Sequence, residues 1–520
     1  MKILFYNWCQ FDDPGMAGGG VSLYLNTIID ALSQREGVDV YFLSSGRHYG
    51  LFRRRPQIIE CGNVFGDRGV RTFKIWNSPI KAPAHDAFSS VGQWMRDRKS
   101  VDLVRGFVAD HGPFDVFHIH NLEGVSANIL SLEKSENVRS LYYTFHNYMP
   151  LCPQIELLYK GHSPCENYFN GKRCVSCVVR QQSMQDLIFY SRLGGWLSGR
   201  GLSGHPLGNY LFGAADGFKK FMMAHRYLAS DVIRGFRTGW GGWRAKSVSN
   251  APTTWAIDAA QTASAPHGTV ISSESEPGVL YKQWREANGA ALARNFDGVF
   301  AVSTLAQETA QKFLPVGTRV EAWPLPMDLA GGENAVPERA PAGQDVTISF
   351  LGYDIPSKGL RFLLRAFEGI DDPYYRDHVH LKIVSRLSNT RDISHLDQVF
   401  KSVRVVNGYK RNELVGLAST IDLNIVPSIW PETYNQVATE LARLGVPSLL
   451  SDRVGAQEIL PDKTDFVFKA NNQNDFRTKL DRLVKDAQLR HAFFRTPLNI
   501  PTVADHVDRL LHRFETGIAK

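Results

Sequence analysis

The chain has 520 residues, 43% hydrophobic and 21% charged, with a formal net charge of +7; this is too long for one ordinary core and implies two or three domains of soluble globular composition. The mild positive charge suits an acidic small substrate or an anionic membrane surface and does not call for nucleic acid. No apolar run reaches about 18 residues, which excludes a spanning helix, and six cysteines in so long a chain do not make a secreted disulfide scaffold, so the expected compartment is the cytoplasm.

The first apolar stretch, residues 3–6, is followed almost at once by Asp12 and Asp13 and reads as a buried strand rather than a secretory signal. A glycine loop ending in Gly18, Gly19 and Gly20 comes next, then a helical stripe of Val21, Leu25, Ile28, Ile29 and Leu32, then a strand at 38–43. This order opens a doubly wound domain. Further strands are predicted at 116–119, 141–144 and 297–303, with a helix near 305–313. A proline- and glycine-rich stretch from 324 to 343 reads as a linker. A second αβ series follows, with strands at 346–351, 379–384, 403–406, 421–426 and 446–450, and this alternation argues for a parallel sheet covered on both faces. Residues 502–518 carry Val503, Val507, Leu510, Leu511 and Phe514 on one face of a terminal helix.

Residues 427–452, PSIWPETYNQVATELARLGVPSLLSD, carry the sharpest chemical pattern. Glu432 and Glu440 stand eight positions apart, and Val437, Leu441 and Leu444 form a helical stripe with Gly445 behind it. A helix over 433–443 places Glu432 at its N-terminal mouth and Glu440 about two turns in, roughly 12 Å further along the axis. The mouth offers unpaired N–H groups and a positive dipole end, a seat for phosphate. Two hydroxyl-binding carboxylates around an anion site suit a nucleotide sugar. An ordinary amphipathic helix with two glutamates is the competing reading, and spacing alone favours it.

The surrounding words change that balance. The run P-S-x-x-P-E followed eight residues later by Glu440, then G-V-P and S-D-R-V-G-A-Q-E, resembles the donor-site signature of retaining glycosyltransferases of family 4, in their bacterial polysaccharide and glycolipid type. The likeness extends to Phe350-Leu351-Gly352 through Lys358-Gly359, to the N-terminal glycine loop and to His146, and runs loosely along the chain except for residues 180–290. It implies an α/β fold of two Rossmann-like doubly wound domains facing a central cleft, the GT-B arrangement. The domains implied are 1–325, with an insertion at about 150–290, a linker at 326–345, a nucleotide-sugar domain at 346–500, and a terminal helix at 501–520 that crosses back. The activity implied is transfer from a nucleotide-diphosphate sugar to a saccharide or lipid-linked acceptor, with no catalytic metal. In that frame Glu432 holds sugar hydroxyls and Glu440 the ribose. Thr433, Tyr434 and Asn435 offer backbone donors, Lys358 stabilises the departing phosphate as a point charge, and His146 lines the sugar and acceptor side. Gly19 and Gly20 let the backbone approach the donor closely, and Tyr409 is placed to stack on the base. The family's arginine five positions before the lysine is here Tyr353, with Arg386 or Lys410 as substitutes for the missing charge. An epimerase-type enzyme on the same fold, and a non-catalytic sugar-binding relative, are the rival readings.

Three stretches carry their own expectations. His118 and His120 alternate at a strand end, facing one side, where lining the cleft is favoured over zinc. Cys152, Cys165, Cys174 and Cys177 fall within 26 residues, the last two as C-x-x-C, and predict a closed structural zinc site, with His162 as a substitute ligand and free thiols as the alternative. Basic and aromatic residues mix between Arg180 and Arg244, a pattern that fits either peripheral contact with an anionic membrane or an insertion folded on the first domain.

Overall fold

The structure, a computed structural model, describes the chain apart from residues 12, 14–18, 53–54, 63–64, 66–67, 85–87, 179–183, 199, 201, 203–206, 208–209, 212, 215–276, 329–344, 388–389 and 519–520. Most of the basic–aromatic stretch and most of the linker lie outside the described residues.

The N-terminal half begins as its periodicity predicts. Strand β1 (Lys2–Tyr6) leads through the glycine loop to the helix Gly19–Leu32 and back to β2 (Asp39–His48). β3 (Gln57–Glu60), β4 (Val70–Trp76), β5 (Phe114–Ile119) and β6 (Val138–Phe145) follow, then a small hairpin of β7 (Leu158–Tyr159) and β8 (Ser163–Pro164), then β9 (Gly298–Ala301) and β10 (Val320–Ala322). Eight of these form one sheet in the order β10-β9-β6-β5-β1-β2-β4-β3. Every pairing is parallel except β3 with β4. The order reverses between β1 and β5, and open parallel sheets have their ligand crevice at such a reversal, beyond the carboxyl ends of the strands.

The second half forms a sheet from β11 (Val346–Leu351), β12 (Val379–Val384), β13 (Ser402–Val406), β14 (Leu423–Val426), β15 (Ser448–Ser451) and β16 (Val467–Phe468), in the order β13-β12-β11-β14-β15-β16. All pairs are parallel. Its reversal lies between β11 and β14, so the loops after these two strands face one crevice. Runs such as Ile348, Phe350, Leu381, Ile383, Ile425 and Leu449 are buried in its core, as a sheet covered on both faces requires.

The helix Val503–Ile518 returns to the N-terminal sheet. Its Val507, Leu510 and Phe514 are buried in one cluster with Ile28, Ile29 and Leu32 of the first helix and with Ile3 and Phe5 of β1. At about 1.5–3 kcal/mol for each fully buried apolar side chain, these three residues alone anchor the crossing by several kcal/mol before entropy is counted.

Two expectations change. The helix read as starting at 433 starts at Gln436 and ends at Arg443, because Glu432 to Asn435 are bent into contacts with both domains. Glu440 is therefore only the fifth helical residue, and no continuous helix separates the two carboxylates. The strand β4 and the helix Lys99–His111 went unread, their apolar residues being interspersed with charges.

Candidate functional site

The loops after β11 and β14 are tied before they present anything to solvent. Ile429 donates its amide to the Ser357 carbonyl at 2.9 Å. Gly359 has φ +77, and a Cβ there would collide with the Pro427 carbonyl, so glycine is required for the close approach. The result is that Lys358 and Glu432, from different loops, form an ion pair. Glu432 is 4% exposed; one carboxylate oxygen also accepts from Asn435 Nδ2 at 3.1 Å, and the other accepts from the Ser428 hydroxyl. A carboxylate buried this far is retained only because every bond around it is charge-assisted or polar.

Asn435 sits at φ +94, a left-handed conformation that costs about 1–3 kcal/mol in a non-glycine residue and gathers at functional sites. Its side chain compensates twice, accepting from the Ala438 amide at 3.0 Å as helix cap and donating to Glu432. No partner for the amides of Thr433, Tyr434 or Asn435 occurs among the described residues. These are the backbone donors expected for sugar and diphosphate, and the helix behind them adds its positive end. The side chains of Thr433 and Tyr434 point elsewhere: Thr433 Oγ1 donates to the His146 carbonyl at 2.8 Å and Tyr434 Oη to the Leu325 carbonyl at 3.3 Å, both across to the other half.

Glu440 lies at the far end with Arg411 at 3.4 Å. Burial raises its pKa and Arg411 opposes the shift. Tyr409 packs beside the same helix, close enough to Glu440 that burial first, and then this charge, push its phenol up to about 12. Glu440 and Tyr409, the residues expected to meet ribose and base, thus lie side by side. Tyr353, by contrast, is 68% exposed, and neither Arg386 nor Lys410 bonds to the Lys358–Glu432 pair. Arg386 lies against Gly408, and the Lys410 amide donates to Glu413. No second cation replaces the missing arginine among the described residues at that pair.

The N-terminal face meets this loop directly. Gln436 Nε2 donates to the Gly20 carbonyl at 3.0 Å, and a Cβ on Gly20 would press on the Gln436 amide at 2.8 Å; Gly19 has φ +53. His146 follows β6 and is 8% exposed. Its Nε2 pairs with His120 Nδ1 at 2.9 Å, while His118 Nε2 pairs with the Thr144 hydroxyl at 2.7 Å. His118 and His120 do face one side, with ring centroids 4.1 Å apart. Burial, then the neighbouring imidazoles, hold both well below the usual histidine range, and burial lowers His146 to about 3. His146 is thus a neutral hydrogen-bonding group at physiological pH.

Cys152, Cys165, Cys174 and Cys177 carry the zinc expectation. All four are free thiols, near enough that Cys152, Cys174 and Cys177 each sense Cys165. Among the described residues no three His, Cys, Asp or Glu side chains are grouped so as to hold a metal ion. Cys174 Sγ accepts instead from the buried Arg285 at 3.7 Å, and Cys177 Sγ from Gln154 at 3.3 Å and the Lys160 amide at 3.2 Å. Burial pushes the Cys152 thiol up to about 12. His162 lies against the Tyr159 ring at 6.4 Å. No described helix is long and apolar enough to cross a membrane.

Sequence reasoning missed three groups: Ser428, which orients Glu432; Ser303, whose hydroxyl donates to the Thr433 carbonyl at 2.6 Å; and Glu156, whose carboxylate accepts from Ser357 at 2.8 Å. None has a local signal, since each is defined by a partner more than a hundred residues away or by a loop bend.

Comparison with known proteins agrees with this geometry. Residues 345–486 match the family described as glycosyl transferases group 1, a span that contains Lys358, Tyr409, Glu432 to Asn435 and Glu440. No curated protein sequence matches the chain. Among solved structures it is similar to an α,α-trehalose 6-phosphate synthase from Burkholderia multivorans (12% identity, 99% of this chain and 98% of that one, TM-score 0.55). It is also similar to the catalytic domain of starch synthase IV from Arabidopsis thaliana bound to ADP and acarbose (13%, 100% and 99%, 0.52). A third is the sucrose-phosphate synthase from Thermosynechococcus elongatus (14%, 100% and 96%, 0.51). At these identities the likeness establishes the fold, two Rossmann-like domains in the GT-B arrangement; the matched domain makes the chain a glycosyltransferase.

Proposed function

We propose that the chain is a retaining glycosyltransferase of the family 4 type that moves a sugar from a nucleotide-diphosphate sugar to a saccharide or lipid-linked saccharide acceptor. The observation that carries this reading is the Lys358–Glu432 pair beside the unpartnered amides of Thr433, Tyr434 and Asn435 at one crevice. Glu432 accepts hydroxyls of the donor sugar, and the amides hold the diphosphate. Glu440 takes the ribose and Tyr409 the base. The bond from the anomeric carbon to phosphate breaks with its electron pair on the departing diphosphate, where Lys358 and the helix end offset the new charge, and the acceptor oxygen bonds to the anomeric carbon as its proton passes to that diphosphate. Catalysis of this kind is positioning plus electrostatic stabilisation. The ADP in the starch synthase structure and the UDP-2-fluoro glucose in the trehalose-6-phosphate structure from E. coli support a nucleotide-sugar donor.

A thermal-shift screen of UDP-, ADP- and GDP-sugars tests the reading, because a ligand that binds only the folded chain raises its melting temperature. The right donor shifts the parent and shifts Glu440→Ala less. A screen in which no nucleotide sugar stabilises the chain would sink it.

A further inference from the structure

Glu156 lies outside the donor-site motif and outside the matched domain, on the N-terminal side of the cleft. It stands on the loop between β6 and β7, which is folded tightly on itself. The Tyr148 amide donates to the Ile155 carbonyl at 2.9 Å and the Cys152 amide to the Tyr148 carbonyl at 2.7 Å. The long helix Val279–Asn295 grips the same loop from behind, with Trp284 Nε1 on the Met149 carbonyl at 3.1 Å and Asn288 Nδ2 on the Pro150 carbonyl at 3.0 Å. Both neighbours of Glu156 have left-handed backbones, Ile155 at φ +59 and Leu157 at φ +51, unusual for bulky side chains. Both side chains are buried in the N-terminal core. Driving them inward turns the carboxylate between them outward, across to the other domain.

There Glu156 Oε1 accepts from Ser357 Oγ at 2.8 Å, the residue before Lys358. Glu156 is half-buried, and its other carboxylate oxygen has no hydrogen-bond partner among the described residues. Burial raises its pKa, with Ser357 and Lys358 opposing and Glu432 adding to the shift, which places all of these groups at one centre. Backbone strain held by a rigid support, aiming an incompletely bonded carboxylate at a reaction centre, is the arrangement expected of a substrate-binding group.

Resting on the glycosyl-transfer reading, we propose that Glu156 is the acceptor-side carboxylate. It binds a hydroxyl of a saccharide acceptor through its free oxygen while Ser357 holds the other, and so sets where the attacking oxygen lies against the sugar held by Glu432. The donor is then met from the C-terminal domain and the acceptor from the β6–β7 loop.

The experiment compares the full chain with Glu156→Gln and Ser357→Ala. The donor comes from UDP-glucose, ADP-glucose and GDP-mannose, and glucose, glucose 6-phosphate and maltose serve as acceptor probes. Readouts are the donor-induced thermal shift, the acceptor KM, and the ratio of donor hydrolysis to transfer. Glu156→Gln keeps the parent's donor-induced shift but raises the acceptor KM and the hydrolysis-to-transfer ratio by about tenfold or more, the loss expected when a hydroxyl loses a charged partner. Ser357→Ala, which keeps the carboxylate, gives a smaller rise of the same sign. A diminished donor-induced shift in Glu156→Gln would place the residue on the donor side and overturn the inference, as would an unchanged acceptor KM and ratio. A parent that binds a donor yet passes its sugar to none of the three saccharides also overturns it. A parent that binds no donor at all removes the glycosyl-transfer reading itself, a failure seen before any variant is made.

Discussion

On the C-terminal side of the cleft, charged groups are held by hydrogen bonds between loops at the ends of adjacent strands; on the N-terminal side, histidines are held by burial. Glu432 is ringed by Lys358, Ser428 and Asn435. His118, His120 and His146 instead pair with one another and Thr144 behind the sheet edge, and Tyr24 Oη meets His506 Nε2 of the terminal helix at 2.9 Å. The first arrangement keeps charge ready for a ligand that brings charge. The second keeps imidazoles neutral and rigid, suited to hydroxyls. The two sides of the cleft thus differ in electrostatics.

The strongest way to break that contrast is to remove the cation from the charged side. Lys358→Ala leaves Glu432 buried without its partner and is expected to lower turnover by about one to three orders of magnitude. Steady-state transfer rates check this, and a loss of less than about twofold would mean that the C-terminal side does not handle leaving-group charge. Next comes the far end of the donor groove. Glu440→Gln should weaken free nucleotide by about tenfold, roughly 1.4 kcal/mol, by calorimetry, whereas Glu432→Gln should spare it. Because burial raises the Glu440 pKa against the opposing Arg411, its carboxylate form destabilises the folded state as pH rises toward neutral, so the same Glu440→Gln chain should melt higher than the parent at neutral pH by calorimetry.

The histidine side is sharpened by pH. Burial lowers His146 and His506 to about 3, below the unfolded value of about 6.5. The unfolded chain therefore binds more protons between these values, and the stability these groups permit is present above about pH 6.5 and lost as pH falls toward 3, by up to about 1.4 kcal/mol per pH unit for each histidine. Urea unfolding of His506→Gln should show a shallower loss between pH 7 and pH 5 than the parent, and parallel curves would refute the assignment. The smallest effect expected is at the cysteines. Their arrangement predicts no stoichiometric zinc in freshly purified protein, and metal analysis finding one zinc per chain would show that metal draws the four sulfurs together.

Legibility tracked how local each signal was. Lys358-Gly359, Glu432 and Glu440 stood out because the two loops of the charged side are short words in the sequence. The strand 346–351 was read to the residue because Val346, Ile348 and Phe350 alternate with Thr347 and Ser349 at the strand period, with Gly352 directly behind. His146 was visible only through resemblance, and its pairing with His120 was not. The helix start at Gln436 was misplaced because Thr433 and Tyr434 have acceptable helical propensity, and only their bonds to His146 and Leu325 across the cleft pull them out of the helix. The zinc expectation rested on spacing, and spacing could not reveal that Arg285, more than a hundred residues on, occupies the Cys174 sulfur.

By itself the sequence determined two αβ series, a terminal helix with one apolar face and the loop residues at one strand reversal, since periodicity and glycine placement act over a few residues; that the terminal helix crosses back came from resemblance. Tertiary structure alone decided that the β6–β7 loop sends Glu156 to Ser357, that the histidines stay neutral, and that Glu432 is held by Lys358, Asn435 and Ser428. Each of these depends on burial and on partners brought from distant chain positions, and neither desolvation nor long-range pairing leaves a mark in the local pattern of residues.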